Sequence, residues 1–123
     1  SVIPKQRCTI YGINLKSKVK AAYEYLRAAA KGSTRFIVSI NNENKEIEFS
    51  TSHKDNKFQF VSSVVFHGDH LDIAFKLMPN TINFLMDHYS SIFDLSWTSD
   101  QVFWTMNEAN LSITYFHPYV PVK

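Results

Sequence analysis

Hydrophobic and polar residues alternate along eight short segments of the chain. These segments are rich in β-branched and aromatic residues, which favours extended strands over helices. Polar turns at 41–44 and 52–56 separate three of the segments, as in an antiparallel meander. The pattern predicts strands over 8–13, 34–40, 45–51, 57–66, 70–75, 92–97, 102–107 and 112–117.

Two other segments carry apolar residues at helical spacing. The first runs from a capping Asn14 to a terminating Gly32, and its apolar side consists of Val19, Ala22, Tyr23, Leu26, Ala29 and Ala30. The second has Pro79 in its first turn and repeats Ile82, Leu85, Met86 and Tyr89. The order strand, helix, three strands thus occurs twice. It predicts an α+β fold with two helices packed on antiparallel sheets and an internal β-α-β-β-β repeat.

The length and composition fit one domain, predicted over residues 1–123 with 45% hydrophobic residues. A net charge of +2 is too small to indicate nucleic-acid binding by itself. The single cysteine excludes an internal disulfide and fits a reducing cytosol. No apolar run approaches the length of a membrane span, and the first residues lack the apolar core of a signal peptide. We expect a soluble, cytoplasmic protein.

Residues with catalytic or metal-binding chemistry are sparse. Three glycines, at 12, 32 and 68, are too scattered to form a phosphate-binding loop. Cys8 has no base at a recognisable spacing, and no serine occupies a nucleophile elbow. Two histidines flank a Gly-Asp turn, but no third ligand completes a metal site there. Ordinary turn or surface positions explain the five histidines better, namely His53, His67, His70, His88 and His117. We therefore expect no catalytic residue, metal or cofactor.

Two features suggest binding instead. The first predicted helix carries basic residues on the side opposite its apolar side, namely Lys16, Lys20, Arg27 and Lys31. This basic side is either an ordinary solvated surface or a contact for a polyanion. The chain also ends in an apolar, proline-containing segment at 119–123, where termini are usually polar. That segment either seals the edge of the core or forms part of a binding surface.

The order of these features resembles the C-terminal, third domain of the bacterial beta sliding clamp, the ring that encircles DNA. The similarity covers essentially the whole chain and rests on four segments: "VIPK" at 2–5, "TRFIVS" at 34–39, "FHGDHLDIAF" at 66–75 and "YVPVK" at 119–123. None of these is a catalytic signature, and their order and spacing carry the resemblance. It implies a non-enzymatic processivity factor for DNA polymerase.

The resemblance also implies three sets of site residues and their partners. Double-stranded DNA would meet Lys16, Lys20, Arg27 and Lys31 through its backbone. Short peptides of DNA polymerase, the clamp loader and repair proteins would occupy a hydrophobic pocket lined by Val2, Lys76, Pro79, Gln101, Phe103, Val120, Pro121, Val122 and Lys123. A homo-oligomeric ring, formed by the full-length protein near the nucleoid, would use Tyr25, Leu26, Lys57 and Gln59 as subunit interface.

The sequence departs from the clamp pattern at two of these sites. The strand that usually carries acidic interface residues holds Asn56, Lys57, Gln59 and Phe60 instead. Pro79 occupies a pocket position that is often aromatic in clamps. A second interpretation is therefore a stand-alone protein-interaction module, of the inhibitor or immunity type, with no role on DNA.

Overall fold

All eight predicted strands and the first predicted helix are present in a computed structural model of the chain. The structure describes residues 6–11, 15–30, 35–67, 72–78, 81, 84, 85, 87, 92–108 and 110–122. The elements are β1 (Gln6–Tyr11), α1 (Leu15–Ala30), β2 (Phe36–Asn41), β3 (Glu46–His53), β4 (Asn56–His67), β5 (Ile73–Leu77), β6 (Ile92–Trp97), β7 (Gln101–Glu108) and β8 (Leu111–Pro118).

The strands form one continuous antiparallel sheet in the order β5-β2-β3-β4-β1-β6-β7-β8. β1 joins the two halves of this sheet, because Cys8 lies opposite Phe66 of β4 on one side and Leu95 of β6 on the other. The long strand β4 pairs with β3 from residue 56 to 63, and with β1 from 63 to 67. Residues 56–62 thus have β3 on one side and no described strand on the other.

The chain after β8 returns to the opposite edge of the sheet. We call residues 119–122 the closing segment. The amide of Lys76 donates to the carbonyl of Val120 (2.9 Å), and the amide of Val122 donates to the carbonyl of Ala74 (3.3 Å). β5 and β8 are the two edge strands of the sheet. The closing segment follows β8 and still reaches β5, because the sheet curls until these two edges approach each other.

The core lies on the inner side of this curled sheet. Trp104 of β7 is fully buried at its centre. Its ring centroid lies 6.3 Å from that of Phe49 on β3, 6.2 Å from Phe75 on β5 and 5.8 Å from Phe93 on β6. Alternate residues point inward along each strand, so one side chain can contact four strands. The apolar side of α1 adds Val19, Ala22 and Tyr23 to the same core.

The predicted fold class, α+β with two helices packed on antiparallel sheets as an internal repeat, is wrong. Pairing of β1 with both β4 and β6 merges the strands into a single curled sheet, and α1 is the one complete helix among the described residues. In the second predicted helix, only Thr81, Phe84, Leu85 and Asp87 are described, each in helical conformation. Apolar spacing is a local signal and does not determine how strands pair across the chain.

No helix in the described part of the chain is long and apolar enough to cross a membrane.

Candidate functional site

The exposed side of α1 carries part of the predicted DNA-binding set. Arg27 is exposed and Lys20 is half-buried, because they flank the buried side formed by Val19 and Tyr23. Lys16 belongs to α1, but its side chain lies outside the described part of the structure, as does the whole of Lys31. Sequence reasoning missed the exposed Lys18, because it lies one helical turn from the buried Ala22 and spacing alone does not place it on the exposed side.

Two acidic residues reduce the positive charge of this surface. Glu24 is exposed on the same helix. Asp87 accepts a hydrogen bond from Lys20, with 3.0 Å between Nζ and Oδ1, and this bond raises the pKa of the Lys20 ammonium. Both side chains of the pair remain largely in water, so the pair adds little stability. Lys20 is thus already paired with a carboxylate, which makes Lys18 and Arg27 the better candidates for contact with an anion.

Three of the predicted interface residues lie near the start of β4: Tyr25, Lys57 and Gln59. The ring of Tyr25 packs on Phe58 at a centroid distance of 5.8 Å, and its hydroxyl accepts a hydrogen bond from Asn56 Nδ2 (3.2 Å). Lys57 and Gln59 are exposed on the neighbouring positions of β4. Gln59 Nε2 donates to Glu48 Oε2 (3.2 Å) on β3. The fourth predicted residue, Leu26, belongs to α1, but its side chain is not described.

Over residues 56–61, β4 pairs with β3 and with no second strand in the described part of the chain, since β1 begins to pair with β4 only at Ser63. An edge strand with unpaired backbone groups can accept a strand from another chain. Tyr25, which is 49% exposed, provides an aromatic surface directly beside it. The structure therefore brings Tyr25, Lys57 and Gln59 to a place where strand addition is chemically possible.

Some of the residues predicted to line a peptide pocket lie near one another around the closing segment. Backbone pairing brings Val120, Pro121 and Val122 against β5, next to Lys76. Gln101 lies opposite Pro118, immediately before the closing segment. Phe103 is two residues further along β7, and its ring packs on Phe116 instead, at a centroid distance of 6.0 Å. The remaining predicted pocket residues, Val2, Pro79 and Lys123, lie outside the described residues.

A half-buried histidine at the end of β8 was predicted to be a strand residue with no role beyond that of an ordinary surface or turn histidine. Trp104 Nε1 donates a hydrogen bond to His117 Nε2 (2.8 Å), and His117 Nδ1 lies 2.9 Å from the carbonyl oxygen of Pro118. Because Nε2 accepts from Trp104, the proton of the neutral ring must be on Nδ1, which donates to Pro118. Burial lowers the pKa of His117, and the bond to Pro118 opposes this only in part.

A second unpredicted group lies on the outer face of the central strands. Thr9 Oγ1 donates to Asp94 Oδ1 (2.6 Å), and His67 Nε2 lies 2.8 Å from the same hydroxyl. These residues come from β1, β6 and β4, so no sequence spacing could have connected them. Next to them, burial and the negative charge of Asp94 raise the pKa of the Cys8 thiol to about 12.

A scan against protein-family models and a search of curated proteins gave no match for the sequence. Among the described residues, no three histidine, cysteine, aspartate or glutamate side chains lie close enough together to hold a metal ion. The candidate sites therefore rest on the geometry of α1, of residues 56–61 of β4 and of the closing segment.

Proposed function

We propose that the chain is a non-enzymatic sliding-clamp domain that contacts duplex DNA through the exposed side of α1 and so supports processive DNA synthesis. The observation that carries this proposal is the orientation of α1. Its apolar residues Val19, Ala22 and Tyr23 are buried against the sheet, and Lys18 and Arg27 are exposed on the same helix. The resemblance to the third domain of bacterial clamps supplies the DNA partner.

The charge distribution of α1 suits a weak contact that does not read sequence. Lysine and arginine at a helix surface bind phosphates without distinguishing bases. Glu24 on the same helix and the pairing of Lys20 with Asp87 leave a modest positive charge. A protein that slides along DNA needs such a contact, because tight or base-specific binding would hold it in one place.

One domain of this size does not encircle a duplex, so the proposed function includes assembly. Among the described residues, positions 56–61 of β4 pair with β3 alone, so a strand of a neighbouring domain could add on the other side, with Tyr25 beside it. In the proposed ring, polymerase, clamp-loader and repair-protein peptides would dock near the closing segment, where Val120, Val122 and Lys76 meet. The assembled ring would act at the nucleoid.

A stand-alone protein-interaction module is the second candidate function. It is favoured by apolar side chains on the outer face of β4, β1 and β6, where Tyr11, Val61, Val65 and Ile92 are each about half exposed. Such side chains are typical of protein contacts when they lie together. A measurement of DNA binding distinguishes the two candidate functions. The clamp proposal requires contact with DNA through α1, and α1 is not part of this outer face.

Reversing two charges on α1 is expected to weaken DNA binding. In Lys18→Glu with Arg27→Glu, two phosphate contacts become repulsive, so the slope of log K against log salt should fall in magnitude by about 2. Fluorescence anisotropy of a labelled duplex at several salt concentrations measures this slope. The control is Lys45→Glu, which reverses the charge of an exposed lysine in the turn between β2 and β3, outside all the predicted sites.

The control variant should bind DNA like the wild-type chain. Equal weakening by Lys45→Glu, or wild-type binding that does not depend on salt, would contradict the assignment of α1. Complete lack of wild-type binding at low salt would favour the protein-interaction module.

A further inference from the structure

We propose that His117 is a pH-sensitive latch: a proton on its Nε2 breaks the hydrogen bond from Trp104 and releases the closing segment from β5. The ring is the acceptor in one hydrogen bond and the donor in the other, since Nε2 accepts from Trp104 and Nδ1 donates to the carbonyl of Pro118. A protonated imidazole has N–H groups on both nitrogens. The indole N–H and the new N–H would then point at each other, so the ring must leave its position.

The position of His117 connects this ring to closure of the sheet. It is followed directly by Pro118 and by the closing segment, whose backbone pairs with Ala74 and Lys76. Its ring also packs on Phe75 at a centroid distance of 6.0 Å, and Phe75 in turn contacts Tyr119 at 5.6 Å. Movement of the His117 ring therefore disturbs both the backbone and the aromatic contacts that hold the closing segment on β5.

The surroundings of the ring offer little to stabilise a positive charge. Trp104 from β7, Phe75 from β5 and Tyr115 from β8 pack around it. The titratable neighbours are the phenols of Tyr115 and Tyr119, and neither is a carboxylate that could pair with an imidazolium. The charged residues on the contacting elements are Lys76 of β5, whose position alternates with the inward Phe75, and Glu108, which ends β7 opposite Leu111 at the far end of β8. Asp100 directly precedes β7, and its carbonyl accepts from the Tyr119 amide (2.8 Å). The described contacts bring none of these charges to the imidazole.

The direction of the pH effect follows from the closed state. Burial holds the pKa of His117 below its ordinary value when the segment is closed, and release returns it towards about 6.5. The released state therefore binds more protons below that pH. The closed state therefore has its full stability above about pH 6.5. Below that pH, the equilibrium constant for closure decreases by at most about tenfold per pH unit, because release is coupled to the uptake of one proton.

Hydrogen exchange of two amides tests the latch. The Lys76 and Val122 amides form the bonds between β5 and the closing segment, so their protection factors should fall between pH 7 and 5 in the wild-type chain. In His117→Gln, whose amide oxygen can still accept from Trp104 but does not titrate, the fall should disappear. His67→Gln, a matched change at another half-buried histidine, should keep it.

Two results would overturn the proposal. One is a protection factor at Lys76 and Val122 that is constant from pH 7 to 5, or that falls equally in His117→Gln. The other applies even if that variant fails to fold: in the wild-type chain at pH 7.5, imidazole ¹⁵N spectra must show Nε2 without a proton and Nδ1 with one. The reverse tautomer would exclude the bond from Trp104.

Discussion

Replacing Trp104 with alanine is expected to lower the free energy of unfolding by about 3–5 kcal/mol, as for other buried tryptophans. Trp104 is fully buried and contacts aromatic rings from β3, β5 and β6, so its removal leaves a cavity that no single strand can fill. Domains of this size have about 5–15 kcal/mol of stability. The variant should therefore unfold at much lower urea concentration, as measured by circular dichroism.

Phe116→Ala is the matched control for this change. Phe116 lies on the neighbouring strand β8, but it is 59% exposed on the outer face. Its loss should cost less than about 1 kcal/mol, as at other exposed positions. If the two variants lose similar stability, Trp104 is not at the centre of the core and the curled arrangement of the sheet is wrong.

The thiol of Cys8 is expected to be almost unreactive in the folded protein. Burial raises the pKa of the thiol to about 12, with a smaller contribution from Asp94. Compared with the ordinary pKa of 9.0 for this thiol, this reduces the thiolate fraction at pH 8 by about a thousandfold. The side chain is also inaccessible to reagents. Labelling by iodoacetamide, followed by mass spectrometry, should require unfolding in guanidinium.

Asp94→Asn separates the two causes of this protection. Because burial is the larger cause, the thiol should stay slow to react in this variant. Rapid labelling of the native wild-type chain would contradict the placement of Cys8 in the middle of the sheet. Rapid labelling of Asp94→Asn alone would mean that the bond from Thr9 to Asp94 holds the central strands together.

The sequence predicted the strands well because alternation is a local signal. Cys8 and Ile10 are buried and Thr9 lies between them on the outer face, as the pattern of β1 indicates. The pairing of β1 with both β4 and β6 was not predictable in this way, since the partners are far apart in the sequence. The prediction of the fold class was wrong because it did not include this pairing of β1.

The candidate sites were predicted to different extents for the same reason. Arg27 was placed correctly on an exposed side of α1 by helical spacing alone. The pairing of Lys20 with Asp87 joins residues 67 positions apart, and no periodicity indicates it. His117 was assigned to a strand, but its bond from Trp104 depends on which face of β7 and β8 is buried.

The most direct test of the central claim is to map the surface that contacts DNA. Backbone amide shifts of the ¹⁵N-labelled chain, recorded while a duplex is added at low salt, identify this surface residue by residue. We expect the largest changes within α1 around Lys18 and Arg27, with the outer face around Val65 and Ile92 unchanged. Changes centred on the outer face, or none at all, would contradict a clamp domain that contacts DNA through α1.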